Sequence, residues 1–434
     1  MPLRPQALRR FPEVLAGVAA ALLAAACHAA PAPSLDQPLS PDQFNACVSE
    51  LADETGTAHK PLARDDFLRI AGNAQYDDRV RQALLVPAGE PSYWWDELAA
   101  TTDDQRVADG QRVIAQNLDV LQRIEQRWGV PKEIVVAIYG IETNYGPAGG
   151  RIPVLDATLS LACLRPCADT AKACAARERA YSAVRLLRDQ RVAPDAFQGS
   201  WAGAFGRTQF EPDTYEQLGV DFDGDGVADV IHSEADAWAS TANHLATRGG
   251  WDAKAPVYIE VAIPPAQQQP FAPTGEPIRL RDQARPVSAW AAQGWTMFDR
   301  DGKQVPLQWP GDPEVYPFVP VGLPGPAFLV SHNFDTLMRY NSSTRYAMEV
   351  ALLANKLAGG TDFVTPWPTD DPGLSRAQVR ELQQWLVQQG HPEVVPDGVM
   401  GRITRDAIEQ ERAKKGLPPG RRAGQRTMRE LMAP

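Results

Sequence analysis

The chain has 434 residues, more than one ordinary domain requires, so a full-sized core and a second module are both expected. Its 44% apolar and 22% charged residues exclude wholesale disorder. A formal net charge of −11 lacks the basic footprint of a non-specific nucleic-acid binder, so no nucleic-acid partner is expected. An uncharged glycan suits such a surface, and eleven Trp and ten Tyr supply stacking faces as well as core.

Residues 1–27 read as an export signal. Arg4, Arg9 and Arg10 precede an apolar run from Val14 to Ala26 that is too short to span a bilayer. Cys27 after Ala24-Ala25-Ala26 reads as a lipoprotein site; the alternative is signal removal nearby, leaving a soluble secreted protein. Residues 28–40, rich in Pro, Ala and Ser, form a tether. Export makes disulfides expected among Cys47, Cys163, Cys167 and Cys174, with three possible pairings. Metal binding by the last three lacks a CxxC pair and a nearby His.

The fold class expected is α+β and mainly helical, with a main domain over residues 41–358. Val107, Ile114, Leu118, Leu121 and Trp128 give helical spacing from Asp103 to Trp128. Gly129 stops that helix and Pro131 opens the next. Residues 251–326 turn rich in Pro, Gly and short β-prone runs such as Val257–Val261, predicting a strand-rich subdomain. A helix resumes from Asn333 to Leu357. Residues 359–372 read as a linker, and 373–434 as a compact helical unit with Ser375 as a helix cap.

The sharpest local feature is Ala137-Ile-Tyr-Gly-Ile-Glu142-Thr-Asn-Tyr-Gly146, a single acid in an apolar helix with Gly146 as the expected stop. Such surroundings raise a carboxyl pKa, as protonation of a glycosidic oxygen near neutral pH requires. The competing reading is a helix-end Glu that simply reaches water. A second segment, Gly199-Ser-Trp-Ala-Gly-Ala-Phe-Gly206 followed by Thr208-Gln-Phe-Glu-Pro212, packs small residues around aromatics and offers the hydrogen-bonding groups of Ser200 and Gln209. Asp221, Asp223, Asp225 and Asp229, with Gly226 and the Val227 carbonyl, place oxygens at the spacing of a calcium loop; the alternative is a solvated Asp/Gly turn.

The motifs IETNYG, GSWAGAFGRTQFEP, ANHLATRGGW and RYNSSTRYA resemble, in order and spacing, those of the membrane-bound lytic murein transglycosylase B family, over roughly Phe44 to Leu357. The resemblance implies a lysozyme-like core with a small inserted subdomain. It implies cleavage of the β-1,4 bond between N-acetylmuramic acid and N-acetylglucosamine, closed by the muramoyl C6 hydroxyl to a 1,6-anhydro product. It also makes Glu142 the sole acid/base, and puts Ser200, Gln209, Tyr340 and Asn341 near the sugars. The calcium loop departs from an EF-hand at His232, and the family's displaced final ligand makes Asp236 the candidate. His244 stands where some relatives carry tyrosine, and Glu211 where an apolar residue is usual. Residues 373–434 resemble the three-helix peptidoglycan-binding domain of wall hydrolases, through Val379, Leu382, Gln383, Leu386, Gly390, Asp397-Gly398, Gly401, Thr404, Ala407 and Ile408.

These features predict a monomeric periplasmic enzyme held to the outer membrane by lipid, with peptidoglycan as partner, structural Ca2+ and no cofactor for the chemistry. A hydrolytic muramidase and a non-catalytic wall-binding scaffold are the alternatives.

Overall fold

The structure is a computed structural model that describes residues 34–85, 92–166 and 171–433; the expected signal segment, Cys27 and Cys167 lie outside these. Helices dominate up to residue 248 and again from 332 onward, with most of the sheet between them. The stretch expected as one helix to Trp128 is two, Asp104–Gln116 and Leu118–Trp128. They meet at Asn117, which leaves helical geometry while its side chain donates to the Val113 carbonyl at 3.0 Å. Gly129 ends the second helix in the left-handed region at φ 67, and Pro131 precedes the next, Lys132–Thr143.

The bridge Cys47–Cys163 joins the helices Pro41–Asp53 and Val154–Leu164. It sits in a core built by Phe44, Val48, Leu51, Phe67 and Tyr181.

The inserted sheet is antiparallel, with strand order Ile278–Arg279, Glu314–Val319, Phe328–Ser331, Tyr258–Ala262, Thr296–Phe298, Gln304–Pro306; Arg285–Pro286 also pairs with Glu314–Val319. Its last strand runs past the expected limit of 326, because Phe328–Val330 is an apolar run with no turn former before the Ser331 cap. The adjacent strands Glu314–Val319, beyond its first residue, and Phe328–Ser331 are buried on both faces, which is why they read as apolar runs and not as alternations. Tyr316, Phe318, Phe328 and Val330 face the main core. Val315, Val319 and Leu329 face a separate core built around Trp290 and Trp295.

The helix expected over Asn333–Leu357 is two, His332–Tyr340 and Thr344–Leu357. Asn341 is extended, and Ser343 restarts the chain by accepting the Tyr346 amide. Residues 359–372 carry no helix or strand yet are strapped down. The amides of Val364 and Thr365 donate to Glu260 at 2.8 and 2.7 Å, and Phe363 and Trp367 pack on the main core.

The C-terminal unit is three helices, Arg376–Gln388, Arg402–Lys414 and Gln425–Met432, around Leu382, Leu386, Ile408 and Leu431. Ser375 caps the first through a capping box with Gln378, as its position predicts. The unit docks against the helix Trp94–Thr101, where Arg422 grips Asp96 with two bonds of 2.8 Å. A Cβ on Gly373 would lie 2.2 Å from the Trp95 carbonyl oxygen, so the chain passes here only as glycine.

Replacing Cys47 and Cys163 together by Ser removes a tie across 116 residues of sequence. We expect the unfolding free energy of the main domain to fall by about 2–5 kcal/mol, checked by chemical denaturation.

Candidate active site

Glu142 lies in the last turn of the helix Lys132–Thr143, just past Ile134–Gly140, a stretch buried at every position. A helix apolar on all sides belongs inside a core, and Trp238, Phe334 and Met348 pack in the same cluster. Glu142 itself is partly exposed. Its Oε1 accepts a bond of 2.7 Å from the Tyr346 hydroxyl. Burial pushes the carboxyl up to about 7, and the Tyr346 bond, which favours the charged form, only partly offsets that.

The helix does not stop on Gly146 as its sequence predicts. Asn144 at φ 54 and Tyr145 at φ 61 take the left-handed turn instead. Asn tolerates this conformation because its short polar side chain bonds locally. The turn folds the Tyr145 ring back between two helices. A Cβ on Gly140 would lie 2.5 Å from that ring, and one on Gly110 would lie 2.4 Å from its hydroxyl. Both glycines are therefore the space that Tyr145 fills.

Residues 199–210 form a tight loop latched to this helix end. The Thr143 hydroxyl donates to the Arg207 carbonyl at 2.7 Å, and Arg207 Nη1 donates to the Tyr139 hydroxyl at 2.8 Å. Ser200 Oγ accepts the amides of Ala202 and Ala204 at 3.3 and 3.1 Å. Both contacts use its oxygen as acceptor, so the hydroxyl proton can be directed elsewhere. Gln209 sits at φ 53, its amide nitrogen donating to the Gly206 carbonyl at 2.9 Å. Trp201 stands exposed beside Ser200. Glu211 pairs with Arg179 at 2.5 Å, and Arg179 also donates to the Ala202 carbonyl at 3.2 Å. A charge where an apolar residue is usual is thus matched by a partner that braces the loop.

Tyr340 stacks on Tyr346 with centroids 6.3 Å apart and planes 3° from parallel. Its hydroxyl donates to the Thr208 carbonyl at 2.7 Å. Glu142, Tyr346, Tyr340 and Thr208 thus form one continuous line, with Gln209 next in the chain. Asn341 is exposed at the helix break, one residue beyond. Ser200 and Asn341 make no side-chain bond to this line among the described residues. His244 is buried against Tyr340, centroids 4.9 Å apart, and burial pulls it down to about 4. It is a neutral ring at physiological pH, and its Nδ1 has no hydrogen-bond partner among the described residues.

Two features escaped the sequence reading. Tyr346 lies inside a motif but carries no mark of a partnership with a residue 204 positions away. Glu349, one turn further along, is a second buried carboxyl under the influence of Glu142. Burial and the nearby Glu97 push it up to about 8 against the pull of Arg106 and Arg345. Only its place among Met348, Val350 and Ala351 hinted at burial.

In the aspartate loop the carboxylates of Asp221, Asp223 and Asp236 converge, their oxygens within 4.8 Å of one another. Asp236, fully buried, accepts the amides of Phe222 at 2.7 Å and Asp229 at 2.8 Å, and so ties the loop to the helix Glu234–Asn243. Gly224 at φ 84 and Gly226 at φ 97 make the sharp turns. Asp225 accepts the Val227 amide, the Val227 carbonyl accepts the Asp229 amide, and Asp229 accepts the amides of Ile231 and His232. Asp225 and Asp229 thus shape the loop, and their carboxylates lie outside the converging set. Three carboxylates on a glycine-hinged loop are a hard-cation donor set.

Residues 43–355 match the family described as transglycosylase SLT domain, and residues 375–431 match a peptidoglycan binding domain family. The chain is 31% identical over 302 residues to membrane-bound lytic murein transglycosylase B of Escherichia coli K12, covering 68% of this chain and 74% of that protein. The structure of SltB3 from Pseudomonas aeruginosa in complex with NAG-NAM-pentapeptide aligns with TM-score 0.64 and 33% identity, over 89% of this chain and 99% of that one. That of the Escherichia coli lytic transglycosylase Slt35 in complex with calcium aligns with TM-score 0.56 and 28% identity, over 72% and 93%. A helical lysozyme-like core holding a partly desolvated glutamate, a small antiparallel sheet and a C-terminal peptidoglycan-binding bundle therefore have one reading: the chain belongs to the lytic murein transglycosylase family with the SLT domain.

Proposed function

We propose that this transglycosylase cuts the β-1,4 bond between N-acetylmuramic acid and N-acetylglucosamine and leaves 1,6-anhydro-muramoyl ends, with Glu142 as its one acid/base. The observation that carries the reading is a partly exposed carboxyl pushed up to about 7 and oriented by Tyr346. Such a group is protonated often enough to donate to the departing oxygen. As a carboxylate it then accepts the C6 hydroxyl proton, so one residue serves both steps in sequence. Glu349 does not suit the role of a second carboxylate, because it is buried and still protonated near neutral pH. Ser200, with an uncommitted hydroxyl proton, is suited to the N-acetyl group; Gln209, Tyr340 and Asn341 belong to the sugar-binding surface.

Periplasmic action and a lipid anchor at Cys27 fit the signal-like start of the sequence and the membrane-bound name of the Escherichia coli relative. Among the described residues no helix is long and apolar enough to cross a membrane. Calcium fits Asp221, Asp223 and Asp236, and when bound it supplies a clamp between loop and helix, not chemistry.

Three outcomes test this reading. Mass spectrometry of digested sacculi should show anhydro-muropeptides; products heavier by one water mean hydrolysis, and no release means a scaffold. Glu142→Gln should abolish that release while sacculus binding persists, and the wild-type kcat/KM should fall as pH rises past about 7, where the entry acid loses its proton.

The same raised pKa bears on stability. A carboxyl raised from 4.5 to about 7 in the folded state makes folding progressively less favourable as pH climbs through that window. Gln does not titrate, so Glu142→Gln should match wild type at pH 4 and be more stable by about 3 kcal/mol at pH 8, read by chemical denaturation.

Calcium should raise the unfolding temperature, and a chelator should reverse the gain. Asp223→Asn, an exposed change in the converging set, should blunt the response.

A further inference from the structure

The C-terminal bundle touches the main domain at a telling place. Arg376, first residue of the helix capped by Ser375, reaches into it with a guanidinium that is mostly buried. Its Nε and Nη2 donate to Asp103 at 2.8 and 3.3 Å, and its backbone amide adds a third bond at 3.2 Å. Its Nη1 donates to Asn144 Oδ1 at 2.5 Å. Asn144 is the residue that closes the Glu142 helix in the left-handed region, two positions after the acid.

Asp103 leads to the same helix by a second route. It is a buried N-cap whose Oδ1 accepts the Arg106 amide at 2.8 Å. Arg106 in turn donates to the Gly140 carbonyl at 3.0 Å, two positions before Glu142. One side chain of the wall-binding unit therefore braces both ends of the turn that carries the acid. Neither wall recognition nor the simple joining of two modules needs such a bond, because Arg422–Asp96 and the strapped linker already hold the unit in place.

Resting on the functional reading above, we propose that Arg376 is a positioning residue for the main domain's chemistry. The C-terminal module, besides holding polymer, fixes the Asn144–Tyr145 turn and through it the placement of Glu142. A bidentate, planar guanidinium suits this task because one fork serves Asp103 while the remaining nitrogen serves Asn144; a lysine ammonium cannot hold both with that geometry. Displacements of about 1 Å at a reacting group cost on the order of a hundredfold in rate, so even a small relaxation of the turn is readable.

The test uses the full chain and a soluble tetrasaccharide muropeptide, too short for a second module to aid by tethering. Asn144→Gly removes the Arg376 acceptor, keeps the Asp103–Arg376 pair and accommodates φ 54, so it folds. We expect its kcat to drop about tenfold with KM within twofold of wild type. Asn144→Asp, which restores an acceptor and tolerates the same backbone, should recover most of the loss, and Arg376→Ala should reproduce it. A kcat for Asn144→Gly within twofold of wild type overturns the proposal, as does an equal loss in Asn144→Asp, which would show that the acceptor for Arg376 is not what holds the turn. Wild-type protein inactive on both this fragment and sacculi would overturn the functional reading instead.

Discussion

A single carboxyl held where water reaches it poorly is the constraint around which this protein is organised. Keeping Glu142 near neutral pKa requires an apolar helix beneath it, and that helix is buried at every position from Ile134 to Gly140. A fully buried helix must then reverse sharply to bring its last turn to the surface. The chain does so with two consecutive left-handed residues and tucks Tyr145 into space left by Gly110 and Gly140. Left-handed backbone at non-glycine positions costs energy, and it persists where the surroundings over-determine it. Here the surroundings are Thr143, Arg207 and Arg376.

The same constraint sets a balance between stability and chemistry. A desolvated acid disfavours the folded state at any pH where it would ionise, and Glu349 adds a second such group one helix turn from Tyr346. The structure absorbs these costs with extensive apolar packing and with the Cys47–Cys163 bridge.

Much of this was legible in the sequence, for reasons that are local. Ser375 caps a helix because its own hydroxyl reaches the Gln378 amide, and Gly129 ends one because it alone lacks the left-handed penalty. The helix around Glu142 showed in an unbroken apolar run, and the change of texture near residue 251 announced the sheet. What the sequence concealed is non-local or a near-tie. Gly146 looked like the better helix stop than Asn144, and only the room for Tyr145 decides between them. The breaks at Asn117 and Asn341 each turn on one side chain or one capping serine. Tyr346 and Glu142 lie too far apart in sequence for spacing to link them. The pairing of Cys47 with Cys163 likewise follows from packing between helices and not from cysteine count.

The pair of strands buried on both faces has a consequence of its own. Val315 and Tyr316 are neighbours in the chain, yet the first packs around Trp290 and Trp295 and the second packs against the body that holds Glu142. Tyr316 also donates its hydroxyl to Asp335 at 2.6 Å, within the helix that ends at Tyr340. Successive residues of one strand thus answer to two different packing problems. Alternate residues of one strand therefore couple the inserted subdomain's own core to the body beneath it, and a one-residue slip in register would exchange the two sets and spoil both cores at once.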